Sequence, residues 1–344
     1  MTEKRKNMRK IVKILGLTAL ILGIPTLAIL IPKQDDSSAV TSETQSATQQ
    51  VKNTIPTFQL LNHKTGKVSE ISQSDYVKGV VAAEMPISFE PEALKAQAVA
   101  AHTYALRRYY QQRKTPSPDL KGAQLSTDPS ICQAFVSQEE LKQRWGDAYE
   151  TNWNKISQAV DEVIEQIITY DNQPIVAAYH SLSGGTTEAA KSVWGQDVPY
   201  LQPVDSSTDA QQPNYENTVM IEEKKVKQTL KEHLKAEMPE DPNHWFSILS
   251  KTSSGSVDKV KVGNVETTGL EIRSIFGLKS SNFEISYQDG VFHFTTKGHG
   301  HGVGMSQYGA NELAKQGKTW QDIINHYYSN VSLININDLP LENT

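Results

Sequence analysis

The stretch that decides the fold is residues 74–112, SDYVKGVVAAEMPISFEPEALKAQAVAAHTYALRRYYQQ. Its first part carries apolar side chains at helical spacing, at Val77, Val80 and Val81. Pro86 cannot continue a helix, so we expect the first helix to end just before it. The stretch therefore predicts a helix, a tight break and a longer second helix.

Glu84 lies on the same stripe as Val77, seven residues later, in the last turn of the first helix. Desolvation disfavours the charged form of a carboxyl group, and the negative end of a helix has the same effect. Both effects raise the pKa, as a general acid near neutral pH requires. The alternative is a glutamate that turns outward at a frayed helix end, and the rest of the chain must decide.

The second helix is expected to begin near Pro91, a residue suited to a first helical turn. Lys95 and His102 are seven residues apart and so share a face. We expect this face to reach the cleft beside Glu84. The predicted packing stripe consists of small and apolar residues: Leu94, Ala98, Ala101, Ala105 and Tyr109.

Charge is distributed unevenly over the 344 residues, whose net charge is -5. The first 13 residues carry six lysines and arginines and one acid, so the remainder is more acidic than the whole. A nucleic-acid-binding protein is expected to have a basic body. The composition therefore excludes nucleic acid as an expected partner.

An uncharged run of 18 residues, 14–31, would span about 27 Å as a helix, close to the thickness of a bilayer core. We predict a basic cytoplasmic tail over residues 1–13, a single transmembrane helix over 14–32 and a flexible linker over 33–54. Small residues at 37–39 leave a cleaved signal peptide as the alternative.

The remaining chain alternates short apolar segments with turn signals, which is typical of hairpins between helices. Asp289-Gly290 is the clearest hairpin turn. Strands are predicted at 57–61, 68–71, 167–170, 174–179, 260–262, 269–273, 283–287 and 291–294. Further helices are predicted at 153–164, at 222–235, after residue 310 to about 316, and at 319–327.

Two polar loops stand out against this pattern. Residues 180–187, HSLSGGTT, follow a predicted strand, a common position for functional residues. Residues 298–304, GHGHGVG, are glycine-rich enough to approach a ligand closely, but they lack the endings of phosphate and dinucleotide loops. His299 and His301, with His180 as a third ligand, leave a metal site open.

A serine hydrolase is the less favoured interpretation of the first loop. His180, Ser181 and Ser183 occur without the Gly-x-Ser-x-Gly elbow. We interpret the loop as hydroxyl and imidazole groups that hydrogen-bond a polar substrate. We expect the two loops to meet over the break at Pro86.

Four motifs in order resemble the stage II sporulation protein D family, over about residues 56–332. They are VVAAEMP at 80–86, EALKAQAVAA at 92–101, Ser-Gly-Gly at 183–185 followed by Trp-Gly at 194–195 and Pro-Tyr-Leu at 199–201, and GHGHGVGMSQYGA at 298–310. The resemblance implies an α+β catalytic domain, with helices around the cleft and antiparallel β-hairpins behind it. We place this domain at residues 55–335 and a tail at 336–344.

The resemblance also implies a lytic transglycosylase of peptidoglycan with Glu84 as the catalytic acid and base. It would cleave the β-1,4 bond between N-acetylmuramic acid and N-acetylglucosamine and leave a 1,6-anhydro sugar. No cofactor and no metal ligand are expected. The expected substrate-binding residues are Lys95, His102, Tyr179, His180, Ser181, Ser183, Gly184, Lys191, Tyr200, His299, His301 and Gln307.

The family further implies work in forespore engulfment, on glycan strands stripped of stem peptides, with a partner amidase and a multipass membrane protein. The chain would be held in the mother-cell membrane, with a cytoplasmic N-terminus and a catalytic domain facing the forespore. A metal-dependent peptidoglycan hydrolase and a non-catalytic glycan-binding scaffold for the amidase are the alternatives.

The chain departs from its relatives at three positions. Many relatives carry Arg at the position of His102 and Lys at that of Gln202, so cationic reach is lost here. Some relatives hold zinc with paired Cys and His, whereas Cys132 is the sole cysteine of this chain. A single thiol cannot form an internal disulfide, and we expect it to fill a small apolar site.

Overall fold

Two consecutive helices form the centre of the computed structural model, which describes residues 57–340. Helix α1 (Gln73–Glu84) begins where the Ser72 side chain accepts a hydrogen bond from Asp75 N–H, and it ends two residues before Pro86. Helix α2 (Pro91–Lys114) has proline in its first turn. Both helices form where the apolar spacing predicts them.

Helix α2 is the hub of the larger core. Its stripe of Leu94, Ala98, Ala101 and Ala105 is fully buried, and the short alanine side chains allow other helices to approach closely. Around it pack α1, α4 (Tyr149–Asp161), α8 (Gln307–Lys315) and α9 (Trp320–Tyr327). Thr319 begins α9, the last predicted helix, with a capping box formed with Asp322.

Small sheets flank these helices. Strands β1 (Thr57–Leu61) and β2 (Val68–Ser72) pair as the predicted antiparallel hairpin, with β3 (Leu125–Ser126) parallel to β1. Strand β4 (Gln166–Tyr170) lies between β5 (Gln173–Pro174) and β14 (Ser332–Asn335). Strands β6 (Tyr179–His180) and β13 (Met305–Ser306) pair in parallel.

Residues 216–297 build a second core from two three-stranded antiparallel sheets. Its largest buried side chains are aromatic, among them Trp245, Phe283, Phe292 and Phe294. The predicted turn at Asp289-Gly290 is present, with positive φ at both residues. The strands are β7 (Glu216–Glu222), β8 (Phe246–Lys251), β9 (Val257–Val262), β10 (Val265–Thr268), β11 (Phe283–Gln288) and β12 (Val291–Lys297), with helices α6 (Glu223–His233) and α7 (Gly269–Phe276).

The α+β class with antiparallel hairpins is confirmed, but two predicted strands are wrong. The strand expected over 269–273 is helix α7, because the Thr268 side chain accepts a hydrogen bond from Glu271 N–H and caps it. The strand expected over 174–179 is interrupted, since Val176 N–H donates to the Tyr200 hydroxyl instead of to a neighbouring strand.

The packed domain extends further toward the C-terminus than the sequence predicts. Ile336 and Leu339 are buried in the larger core, so the packed unit continues past residue 335, where we expected a tail. The predicted cytoplasmic tail, transmembrane helix and linker lie outside the described residues. Within residues 57–340, none of the helices has the length and apolar character needed to cross a bilayer.

Candidate active site

Glu84 lies at the junction of two hollows at the C-terminal end of α1. The polar hollow has a volume of about 390 Å³, and its lining includes Arg144, Ser181 and Gln307 beside the Pro86 break. The aromatic hollow has a volume of about 350 Å³, and its lining includes Tyr104, Tyr179, Trp194 and His301. Glu84 lines both of them. A chain-like ligand that fills both hollows must therefore cross this carboxyl group.

The Glu84 carboxyl group is half-buried and held by donors from two distant segments. Oε1 accepts the Ala134 backbone N–H at 2.8 Å, and Oε2 accepts the Gln307 side-chain amide at 3.4 Å. Burial raises the pKa of Glu84 above its ordinary value, although both hydrogen bonds oppose the shift. The carboxyl group therefore keeps its proton to higher pH than an exposed glutamate does.

Gln133 fixes the wall of the aromatic hollow. Its Oε1 accepts the Tyr179 hydroxyl at 2.7 Å, and its Nε2 donates to the Ala101 carbonyl at 3.0 Å. The Tyr179 hydroxyl also interacts with the Glu84 carboxyl group, but its one proton is committed to Gln133. Burial and the negative charge of Glu84 raise the pKa of Tyr179, so this phenol stays neutral and keeps its place.

The two glycine-containing loops meet, as the sequence predicts. Leu182 and His299 form an antiparallel bridge, and parallel pairing of β6 with β13 brings Ser306 beside His180. Ser306 caps α8, so Gln307 is the first residue of that helix and points at Glu84. The Gln307 amide is shared with Gln97 Oε1, also at 3.4 Å. The loop pairing thus positions the Gln307 amide beside Glu84.

Asp209 ties the two loops together, and no sequence signal marks it. Its Oδ2 accepts hydrogen bonds from Ser183 N–H at 2.7 Å, from the Ser306 hydroxyl at 2.7 Å and from the Ser206 hydroxyl at 3.1 Å. The side chain is fully buried, which raises the pKa of Asp209. Ser183 and Ser306 are therefore structural partners of a buried acid.

The histidines of the loops are held as neutral groups. His180 Nδ1 bonds to the Val303 carbonyl at 3.1 Å, and burial lowers the pKa of His180 to about 3. His301 Nδ1 accepts Val303 N–H at 3.1 Å, and burial lowers its pKa to about 4. His299 is exposed, so the two alternating histidines do not face one cavity. Within residues 57–340, no three acidic, histidine or cysteine side chains converge as metal ligands.

Lys95 and His102 share a face of α2, as predicted, but the structure does not bring that face to Glu84. Lys95 pairs with Glu92 at 2.8 Å and with Glu162 at 2.6 Å. His102 is buried and bonds to Gln73 Oε1 at 2.8 Å, and burial lowers its pKa to about 4. At 100° per residue, Gln97 lies about 200° from Lys95, so the opposite face of α2 meets Glu84.

The other predicted site residues divide by position. Tyr179, Ser181, His301 and Gln307 line the two hollows. Gly184 and Tyr200 line neither hollow. The Gly184 carbonyl accepts the Tyr215 hydroxyl at 2.9 Å, and the buried Tyr200 hydroxyl accepts Val176 N–H at 2.9 Å.

Lys191 is exposed on α5 (Ala190–Trp194) and lines neither hollow. Gln202 donates to the Val198 carbonyl at 2.9 Å. The sequence reasoning missed six residues that build the site: Gln97, Tyr104, Gln133, Arg144, Trp194 and Asp209.

Comparison with known proteins places the chain in a family. A family model described as Stage II sporulation protein matches residues 61–170, which include α1, the Pro86 break and α2. Stage II sporulation protein D of Bacillus amyloliquefaciens is 37% identical over 341 residues, covering 95% of this chain and 96% of the relative. The Bacillus subtilis protein of the same name is 38% identical over 331 residues, covering 92% and 93%.

These matches define a sporulation protein. The chain belongs to the stage II sporulation protein D family. A more distant relative, a Bacillus subtilis protein named Amidase enhancer, is 27% identical over 315 residues, covering 75% of this chain but 40% of that protein.

Proposed function

We propose that this chain is a peptidoglycan lytic transglycosylase in which Glu84 serves as both acid and base. One observation carries the proposal. Among the described residues that line the two hollows, Glu84 is the only carboxyl group, and it stands where they join. Its raised pKa suits a group that must give up a proton and then take one back.

The reaction needs two proton transfers at one site. Protonated Glu84 gives its proton to the glycosidic oxygen as the bond from that oxygen to muramic C1 breaks. The resulting carboxylate takes the proton of the muramic C6 hydroxyl as that oxygen forms a new bond to C1. The products are a 1,6-anhydromuramic end and a free 4-hydroxyl group on N-acetylglucosamine, and Glu84 is again protonated.

A site with a single acid fits this intramolecular route better than it fits hydrolysis by water. Glycosidases that use water generally need a second carboxylate about 5 to 9.5 Å from the first. Here the groups around Glu84 are neutral donors and hydroxyls, apart from Arg144. The Ala134 N–H and the Gln307 amide hold the carboxyl group in place and stabilise its ionised state between the two transfers.

The proposed substrate is a glycan strand from which the stem peptides have been removed, and the proposed setting is engulfment of the forespore. We further propose a single-pass mother-cell membrane protein with a cytoplasmic N-terminus, working with an amidase and a multipass membrane protein. The relative named Amidase enhancer supports an amidase as partner.

A non-catalytic scaffold is the second candidate, since that relative's name describes enhancement of another enzyme. A metal-dependent hydrolase using His299 and His301 has less support. His301 Nδ1 already accepts Val303 N–H, and His299 is exposed and does not share the cavity of His301. Activity that survives strong chelation would argue against the metal route.

The deciding experiment is mass spectrometry of purified, peptide-free glycan strands after digestion. The wild-type protein should produce anhydro ends, and Glu84→Gln should produce none, because glutamine keeps the shape but carries no transferable proton. Glu150→Gln, an exposed glutamate of α4, is the matched control. Reducing ends would indicate a hydrolase, and absence of wild-type cleavage would leave the scaffold.

A further inference from the structure

Arg144 is an unpaired cation on the wall of the polar hollow. It lies in the last turn of α3 (Gln138–Trp145) and lines the same hollow as Glu84. Its side chain is exposed, and within residues 57–340 it has neither an ion pair nor a hydrogen bond. An arginine left without a partner at a cleft is available to an anion from outside.

The neighbouring cations are all engaged. Lys142, on the same helix, lies over the Tyr149 ring at 5.3 Å. Lys155 donates to the Ile87 and Phe89 carbonyls at 2.8 and 2.7 Å and so fastens the segment after Pro86. Arg144 is therefore the one free positive group at this wall of the described structure.

The chemistry of the guanidinium group narrows the ligand. Its planar fork of N–H donors matches a carboxylate or phosphate through two parallel hydrogen bonds. Glu84 occupies the same hollow and shares its wall with Ser181 and Gln307. A ligand anion must therefore sit on the Arg144 side, away from the Glu84 carboxyl group, while its neutral hydroxyls face Glu84.

A glycan strand offers few anions. Sugar hydroxyls and acetamido groups are neutral. The lactyl ether of muramic acid ends in a carboxylate only after its stem peptide has been removed, because with the peptide attached this group is a neutral amide. Peptide-bearing strands carry their carboxylates further out, on the peptide itself.

Resting on the proposed function, we propose that Arg144 binds the free lactyl carboxylate of a muramic residue seated in the polar hollow. The N-acetylglucosamine across the scissile bond then occupies the aromatic hollow, where Tyr104 and Trp194 offer flat surfaces to a sugar ring. This assignment sets the direction of the strand across Glu84. It also makes Arg144 the residue that distinguishes stripped from peptide-bearing strands.

The test measures binding without turnover, in full-length protein carrying Glu84→Gln. Three oligosaccharides of equal length serve as probes: peptide-free muramyl glycan, the same glycan with stem peptides, and a chitin oligosaccharide that lacks lactyl groups. Adding Arg144→Gln should weaken binding of the peptide-free glycan by about tenfold, which corresponds to one lost charge-assisted contact. Binding of the chitin oligosaccharide should be unchanged.

Two further variants control for charge and geometry. Lys142→Gln removes one positive charge from the same helix, on the side facing Tyr149, and should bind all three probes as before. Arg144→Lys keeps the positive charge but lacks the planar fork of donors. Its affinity for the peptide-free glycan should lie between those of the proteins with arginine and with glutamine at this position. Added salt should weaken binding of the peptide-free muramyl glycan by protein that keeps Arg144. It should not change binding of the chitin oligosaccharide or binding by the Arg144→Gln variant.

Several outcomes would overturn the proposal. Equal losses for muramyl and chitin probes would make Arg144 a structural residue. A larger loss for peptide-bearing strands would assign the anion to the peptide. If protein that keeps Arg144 bound the muramyl and chitin probes with equal affinity, there would be no binding site for the lactyl carboxylate. Because these readouts require no cleavage, they remain interpretable if the transglycosylase proposal fails.

Discussion

Two acids, Glu84 and Asp209, contact the adjacent residues Gln307 and Ser306, and both have raised pKa values because they are buried. Glu84 opens onto two hollows and accepts one strong and one long hydrogen bond. Asp209 is sealed and accepts three, all on one oxygen. Their pKa shifts have the same direction, so access to a ligand is what separates a group suited to chemistry from one that holds structure.

The largest expected effect is that of Glu84→Gln on rate. Loss of the proposed acid and base should lower the cleavage rate by at least about 10³-fold, the scale of general acid and base catalysis. The melting temperature should rise slightly, because an ionised carboxylate is no longer held in a half-buried place. Calorimetry and a glycan cleavage assay check both. A large fall in stability would show that Glu84 has a structural role like that of Asp209.

Asp209→Ala should give the reverse pattern. Removing the acceptor leaves the buried Ser183 N–H unpaired and takes the shorter hydrogen bond from the Ser306 hydroxyl, so the free energy of unfolding should fall by about 3 kcal/mol. The cleavage rate should fall by about tenfold, because the Gln307 contact loses its support. Denaturant unfolding measures the first quantity, and kcat against KM measures the second.

Two matched variants sharpen this prediction. Asp209→Asn keeps one acceptor oxygen and should lose less stability than alanine. Asp205→Ala removes an exposed acid of the same loop and should change stability by no more than about 0.5 kcal/mol. If Asp205→Ala lost as much stability as Asp209→Ala, the hydrogen bonds of Asp209 would not be what holds the two loops together.

The next largest effect is the pH dependence that Glu84 should give to the cleavage rate and to stability. The raised pKa of Glu84 means that its proton is present at low pH and lost as pH rises through that pKa, so the cleavage rate should fall on the alkaline side. Stability follows the same sign, because a raised native pKa gives stability below the unfolded pKa that disappears as pH rises through the native one. The melting temperature of Glu84→Gln minus wild type should therefore grow from about pH 4 upward.

The smallest expected effect is that of Lys95→Gln on the far face of α2. Its ion pairs with Glu92 and Glu162 are partly exposed and should contribute at most about 1 kcal/mol to the free energy of unfolding. Any loss of activity should follow stability and leave KM for peptide-free glycan unchanged. A rise in KM at full stability would return Lys95 to the substrate site.

Much of the fold could be predicted because its signals are local. The apolar spacing of α1, the proline break, the capping box at Thr319 and the Asp289-Gly290 turn each depend on residues within one or two turns of chain. The strand predicted over 269–273 failed for a local reason too, since the cap at Thr268 was overlooked.

The sequence by itself determined that Glu84 ends a buried helix and that two polar loops follow elsewhere in the chain. Only the tertiary structure decided which groups meet that carboxyl group. Ala134, Gln133, Asp209 and Arg144 reach the site from separate segments, and their contacts have no periodicity along the chain. The choice of the Gln97 face of α2 over the Lys95 face was likewise made by packing, because rotation about a helix axis is set by long-range contacts.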